Sequence, residues 1–135
     1  MEPTASETSP PRPTVYVVDD DESVRTALLR LLRAAGYEAQ AFDAGLAYLQ
    51  HPVPTLPACL VLDIRMPGVS GLDLHQKVRG TAHALPTIFI SGHADDLVRL
   101  KGMLSGAVAV LDKPLDKGLL LAAIERALER SLPKP

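Results

Sequence analysis

The chain has 135 residues, with 14 Lys+Arg against 16 Asp+Glu and a formal charge of −2. That length supports a single domain, and the charge lacks the basic surplus of a nucleic-acid-binding face, so no direct nucleic-acid contact is expected. A hydrophobic content of 47% excludes a disordered chain, and no apolar run approaches the roughly 20 residues that span a bilayer.

Cys59 is the only cysteine. It excludes an internal disulfide and fits a reducing compartment. The N-terminus has no basic segment followed by an apolar one, so it does not read as a secretory signal. The composition therefore predicts a cytoplasmic globular domain without a membrane partner.

Residues 1–13 hold four of the twelve prolines and almost nothing apolar, which predicts a disordered tail. Thr14–Val18 is β-branched and aromatic, a strand pattern. Val24, Ala27, Leu28, Leu31, Leu32 and Ala35 then share one helical face, and Gly36 stands where a C-terminal cap belongs. Residues 37–42 alternate weakly, as an edge strand does. Asp43 is placed to cap a short helix through Leu49, and the proline-rich segment 51–57 is a loop. Cys59–Leu62 reads as a buried strand. Ser70 opens a helix to about Arg79. Thr87–Ile90 is a strand, 95–104 a helix, Ala107–Leu111 a strand, and 116–130 a closing helix. Residues 131–135 read as a second tail. His51, His75 and His83 read as solvated, and Cys59 as an inert core residue.

Five β-α units in succession imply a mostly parallel sheet covered on both faces. Binding sites in such sheets lie beyond the carboxyl ends of the strands. The first strand ends in Asp19-Asp20-Asp21-Glu22, the third in Asp63, the fourth in Ser91 and the fifth in Asp112-Lys113-Pro114. Carboxylates, a hydroxyl and an ammonium thus converge on one rim. Clustered carboxylates repel unless a cation intervenes, and all-oxygen ligation suits Mg²⁺. Asp19 and Asp20 follow the strand directly. Asp21 and Glu22 instead enter the helix, where anions are favoured.

Four segments, Val17-Val18-Asp19-Asp20-Asp21-Glu22-Ser23-Val24-Arg25, Leu60-Val61-Leu62-Asp63-Ile64-Arg65-Met66-Pro67-Gly68, Ile90-Ser91-Gly92-His93 and Leu111-Asp112-Lys113-Pro114, resemble the receiver domain of two-component response regulators. The resemblance covers residues 14–130. Its details are nearest to the nitrogen-fixation and aromatic-degradation type of regulator. It implies a flavodoxin-like fold with strand order 2-1-3-4-5 and a cis Lys113–Pro114 bond. It implies Asp63 as phosphoacceptor, and a Mg²⁺ site built from Asp19, Asp20, Asp63 and the backbone carbonyl of Arg65. By the same resemblance Ser91 meets the phosphoryl oxygens, and Lys113 pairs with Asp63 and then with the phosphoryl group. The implied donor is a sensor histidine kinase or a histidine phosphotransfer protein. The implied output is a phosphorylation-dependent dimer or a downstream protein partner.

That chemistry is physically coherent. A carboxylate attacking phosphorus must approach a centre ringed by negative oxygens, and a divalent cation, an ammonium and a hydroxyl neutralise them. Turnover is then limited to self-catalysed phosphotransfer and autodephosphorylation rather than to enzymatic conversion of a separate substrate. Arg65 and His93 are expected to border the approach of the hydrolytic water. Two rivals compete with this reading. A Mg²⁺-dependent phosphohydrolase with an Asp nucleophile commonly wants a second acid two residues on, where this chain has Arg65. A non-phosphorylated interaction module would not need the intact acidic set. One departure from the family stands out: Val110 occupies a position where many receivers carry Tyr or Phe. No helix-turn-helix is expected after Arg130, which leaves a single-domain regulator or the receiver portion of a longer protein.

Overall fold

In the computed structural model, residues 12–92 and 96–131 are described, and they form a five-stranded sheet between helices. The elements are β1 (Thr14–Val18), α1 (Glu22–Ala34), β2 (Glu38–Phe42), α2 (Gly45–Gln50), β3 (Ala58–Asp63), α3 (Gly71–Val78), β4 (Thr87–Ser91), α4 (Asp96–Leu104), β5 (Ala109–Asp112) and α5 (Lys117–Ser131). The strands run parallel in the order β2-β1-β3-β4-β5, as the resemblance implies. The weakly alternating β2 is an edge strand, which explains its poor apolar signal.

Because side chains alternate across a strand, each central strand feeds two cores. Val15, Val17, Cys59, Val61, Ile88 and Ile90 pack on one face against Leu28 and Leu32 of α1 and Leu120 and Ile124 of α5. Tyr16, Val18, Leu60, Leu62 and Phe89 pack on the other against Tyr48 of α2 and Leu74 and Val78 of α3. All of these are buried. Burial also pushes the Cys59 thiol up to about 12, which keeps it protonated and inert.

Several local expectations shift by a residue or two. The α1 helix begins at Glu22 because Asp21 caps it, accepting from the amides of Ser23 and Val24. Gly36 takes the positive φ of 96° expected of a residue past a helix end. Asp43 does not cap α2: the helix starts after Ala44, whose side chain offers no acceptor. Ser70 does cap α3, through Oγ accepting from Asp73 N at 3.1 Å. β5 starts at Ala109 rather than at Ala107. Ala107 and Val108 are buried but precede the ladder, and Val108 N donates to Thr87 O at 2.8 Å. Asp116 caps α5, its Oδ1 accepting from Leu119 N at 2.9 Å.

Ser131, expected in the second tail, is the last residue of α5. Its hydroxyl donates to Leu128 O and accepts from Ala58 N, tying the helix to the start of β3. Near the first tail, Pro13 O accepts from Glu38 N at 3.0 Å. Residues 1–11 and 132–135 lie outside the described residues.

The three histidines expected to be solvated are each half-buried. His83 Nε2 donates to His51 O at 2.7 Å, and His83 O accepts from the buried Tyr48 hydroxyl. His75 lies edge-on to Phe89 with a ring separation of 5.4 Å. Its Nδ1 is buried without a hydrogen-bond partner among the described residues. Burial and then the Arg79 charge hold its imidazole below the ordinary value.

Candidate functional site

The carboxyl ends of β1, β3, β4 and β5 meet at one rim. Asp19 stands one residue past β1, where its N–H still donates to Phe42 O at 3.1 Å. Asp20 follows it. Asp63 closes β3, in register with Ile90 of β4. Ser91 closes β4 opposite Asp112 of β5, and the chain turns at Lys113. The rim is stitched by backbone bonds: Ile64 N donates to Ile90 O at 3.0 Å and Lys113 N to Ser91 O at 2.9 Å. The Lys113–Pro114 bond is cis, as expected.

Carboxylate oxygens of Asp19, Asp20 and Asp63 all lie within 4.8 Å of one another. Asp19 is fully buried and Asp63 nearly so, while Asp20 faces solvent. Two unit charges at that separation repel by about 3 kcal/mol at an effective dielectric of about 20. Burial, reinforced by the Asp19 charge, pushes the Asp63 carboxyl up to about 6. Lys113 and the Arg65 amide oppose that rise, the amide donating to Asp63 Oδ1 at 3.2 Å.

Lys113 is nearer to Asp19 than to its expected partner Asp63. Its Nζ sits 2.8 Å from Asp19 Oδ2 and 3.5 Å from Asp63 Oδ2. The shorter contact is an ion pair, and Asp19 Oδ2 is a buried oxygen without a hydrogen-bond partner among the described residues. Burial alone would lower the Lys113 ammonium, but Asp19 and then Asp63 outweigh it and hold it above the ordinary lysine value.

Three carboxylates around a buried, under-satisfied oxygen form a hard-oxygen donor set with one solvent-open side. That set fits Mg²⁺, which keeps several waters. Asp21 is not part of it, because its carboxylate is committed to capping α1 and to the Ser23 hydroxyl at 2.6 Å.

Removing Lys113 should therefore hurt most when no metal is present. Lys113→Met leaves Asp19 buried without a counter-charge, a loss of about 3 kcal/mol. Thermal melts in chelator and in millimolar Mg²⁺ check this. The loss shrinks in Mg²⁺; equal losses in both buffers contradict the counter-ion role.

Two positioning features escaped sequence reading. A Cβ at Gly71 would lie 2.2 Å from Asp63 O, so only glycine lets α3 pack against the end of β3. The Gly71 amide also donates to Ile64 O at 2.9 Å. The signal available in sequence was a glycine at the first helical position. Arg25 is the second, with Nη1 donating to Asp19 O at 2.8 Å. Of the expected site residues, Ser91 is fully buried at the rim and Arg65 is exposed. His93 lies outside the described residues.

Comparison with known proteins decides the family. Residues 15–125 match the model of the response regulator receiver domain. The chain belongs to that family. This receiver is 42% identical to Nodulation protein W of Bradyrhizobium diazoefficiens over 116 residues, which is 86% of this chain and 51% of that protein. It is 36% identical to Transcriptional regulatory protein FixJ of Azorhizobium caulinodans over 117 residues, 87% of this chain and 56% of that protein. Among solved structures, response regulator StyR superposes with a TM-score of 0.81 at 43% identity, covering 90% of this chain and 61% of that one. FixJ-N superposes with a TM-score of 0.81 at 33% identity, covering 90% and 97%. The receiver spans about half the length of the curated relatives it matches. Among its described residues no helix is long and apolar enough to cross a membrane.

Proposed function

We propose that this receiver accepts a phosphoryl group on Asp63 from a sensor histidine kinase or a histidine phosphotransfer protein. The carrying observation is the near-buried Asp63 carboxylate set among Asp19, Asp20 and Lys113 at the strand rim. An Asp63 oxygen attacks phosphorus of the donor phosphohistidine. The new O–P bond forms as the N–P bond breaks, and the electron pair returns to the donor imidazole. Asp63 must be ionised to attack; with a pKa of about 6 it is so at neutral pH. Ser91 donates to the transferred oxygens. Lys113 exchanges its contact with Asp63 for one with the phosphoryl group.

Asp19, Asp20, Asp63 and the Arg65 carbonyl would hold Mg²⁺, which supplies charge neutralisation at the phosphoryl oxygens. Asp20→Asn weakens Mg²⁺ binding by at least about tenfold, whereas Asp21→Asn leaves it near the wild-type value. Asn caps a helix as well as Asp does, so the second variant folds normally. A calorimetric Mg²⁺ titration that ranks the two the other way refutes the ligand assignment.

The function is tested by incubating the protein with a panel of phosphorylated histidine kinases, and with acetyl phosphate, in Mg²⁺. Acid-labile phosphate accumulates on the wild type and not on Asp63→Ala. Wild-type labelling of Asp63→Ala refutes the acceptor.

The hydrolase alternative loses its support from the family match and from Arg65 standing where a second acid would be needed. Phosphorylation switches the contacts this domain makes, with a second copy or with another protein segment, and the cytoplasm is the compartment where such kinases present phosphohistidine. The charge balance argues against nucleic-acid binding by these 135 residues; the matched region makes up 56% of Transcriptional regulatory protein FixJ of Azorhizobium caulinodans.

A further inference from the structure

We propose that Arg25 is a positioning residue for Asp20, acting through the peptide unit between Asp19 and Asp20. The inference rests on the magnesium reading given above. Asp19 lies one residue past the end of β1, so its carbonyl oxygen is beyond the strand and needs a partner. Arg25, on the first turns of α1, supplies it: Nη1 donates to that oxygen at 2.8 Å. The peptide unit is planar. Fixing its oxygen therefore fixes the plane from which the Asp20 Cα and side chain depart.

The rest of the turn is held independently. Asp19 N donates to Phe42 O, Asp21 N donates to Asp19 Oδ1 at 2.9 Å, and Asp19 Oδ2 faces Lys113. Asp20 differs. Its carboxylate faces solvent, and among the described residues no side chain holds it. Its direction thus depends on the backbone that carries it, and Arg25 is the side chain that pins that backbone. Helix α1 serves as the rigid mount, since Asp21 caps it in the same turn.

The sign of one substitution separates positioning from charge. A guanidinium beside a cation site repels the cation. If Arg25 were only a nearby charge, Arg25→Ala would tighten Mg²⁺ binding. If Arg25 positions Asp20, Arg25→Ala weakens it despite the relieved repulsion.

The experiment is a calorimetric Mg²⁺ titration of wild type, Arg25→Ala and Arg25→Lys, with backbone amide spectra of each in chelator. Arg25→Ala is expected to bind about tenfold more weakly, the size of effect seen for groups that orient metal ligands. Arg25→Lys keeps a donor of similar reach and returns most of the affinity. In chelator, the Asp20 and Asp21 amide resonances move in Arg25→Ala and return in Arg25→Lys. Unchanged or tighter binding by Arg25→Ala overturns the proposal, as do unmoved Asp20 and Asp21 amides. Should Arg25→Ala not fold, Arg25→Met keeps the aliphatic stem and takes its place. A wild type that binds no Mg²⁺ overturns the magnesium reading instead, and the chelator spectra then decide Arg25 alone.

Discussion

Asp63→Asn is expected to melt at a higher temperature than the wild type in magnesium-free buffer at pH 7.5. The folded protein holds the Asp63 carboxyl at about 6, against an ordinary value of 3.8, through burial and the Asp19 charge. Its folded pKa is thus raised above the unfolded one. Between those values the folded state binds the extra proton, so stability falls as pH rises from about 4 through 6. Above about 6.5 the whole cost is present. A shift of that size corresponds to about 2 kcal/mol after discounting for solvent near the open rim. For a domain of this length that is a rise of about 5–10 °C in Tm.

Asn is isosteric with Asp, and its oxygen still accepts from the Arg65 amide. Lys113 retains its 2.8 Å contact with Asp19. The exchange gives up the 3.5 Å bond from Lys113 to Asp63 Oδ2 and sets an amide NH2 beside the Asp19 and Asp20 carboxylates, which are acceptors. The gain fades toward pH 4, where the wild-type carboxyl is protonated. It narrows in Mg²⁺, which stabilises the wild type by binding the folded state. Melts of both proteins from pH 4 to pH 8, with and without Mg²⁺, provide the check. A gap that does not change with pH, or a less stable Asn variant, contradicts the electrostatic account. The stored repulsion has a functional side: any cation or phosphoryl-bearing complex that neutralises the rim is bound partly by relieving it.

The two cores were legible because residues 15–18, 59–62 and 88–90 are continuously apolar, as strands covered on both faces are. The site was legible because parallel topology sends every strand end to the same rim, so Asp19, Asp63, Ser91 and Lys113 had to meet. What failed to show were features set by side-chain reach and backbone clearance. That Lys113 lies nearer Asp19 than Asp63 depends on a difference of 0.7 Å between two contacts, 2.8 and 3.5 Å. Asp43 has the right chemistry for a cap but stands one residue too early for a helix that starts at Gly45. Ala107 and Val108 are as apolar as any strand, yet they serve the bend that brings β5 to β4. His83 looked like a loop histidine because its partner, the His51 carbonyl, is distant in sequence. Val110 is buried under α4, where a Cβ on Gly102 would come within 2.8 Å of its Cγ2. Gly102 thus leaves the space in α4 that the Val110 side chain fills.

Gly71→Ala is expected to be the most damaging single-methyl change near the site. Helix propensity predicts the opposite, since alanine is favoured over glycine by about 1 kcal/mol in helices. Nor does φ demand glycine here, because Gly71 is not among the residues of positive φ. The objection is contact. The added Cβ would lie 2.2 Å from Asp63 O, 2.9 Å from Asp63 C and 2.9 Å from Ile64 Cα. All three are backbone atoms and cannot rotate away. Either α3 retreats, breaking the 2.9 Å bond from Gly71 N to Ile64 O, or the end of β3 moves. Retreat also uncovers Leu74 and Val78, both buried against the sheet. Overpacking against mobile side chains costs about 1–3 kcal/mol, and a rigid backbone contact belongs at or beyond the upper end. Movement of β3 displaces Asp63 relative to Asp20 and Lys113, so phosphate uptake falls along with stability. Gly68→Ala is the matched control. It has a positive φ of 79° but nothing within 4 Å of the added methyl, so it suffers only backbone strain of about 1 kcal/mol. Denaturant midpoints and labelling rates with acetyl phosphate are to be compared for the two variants. Gly71→Ala should lose more than Gly68→Ala in both. If Gly71→Ala equals or exceeds the wild type in stability, the close seat of α3 against the end of β3 is not what holds Asp63 in place.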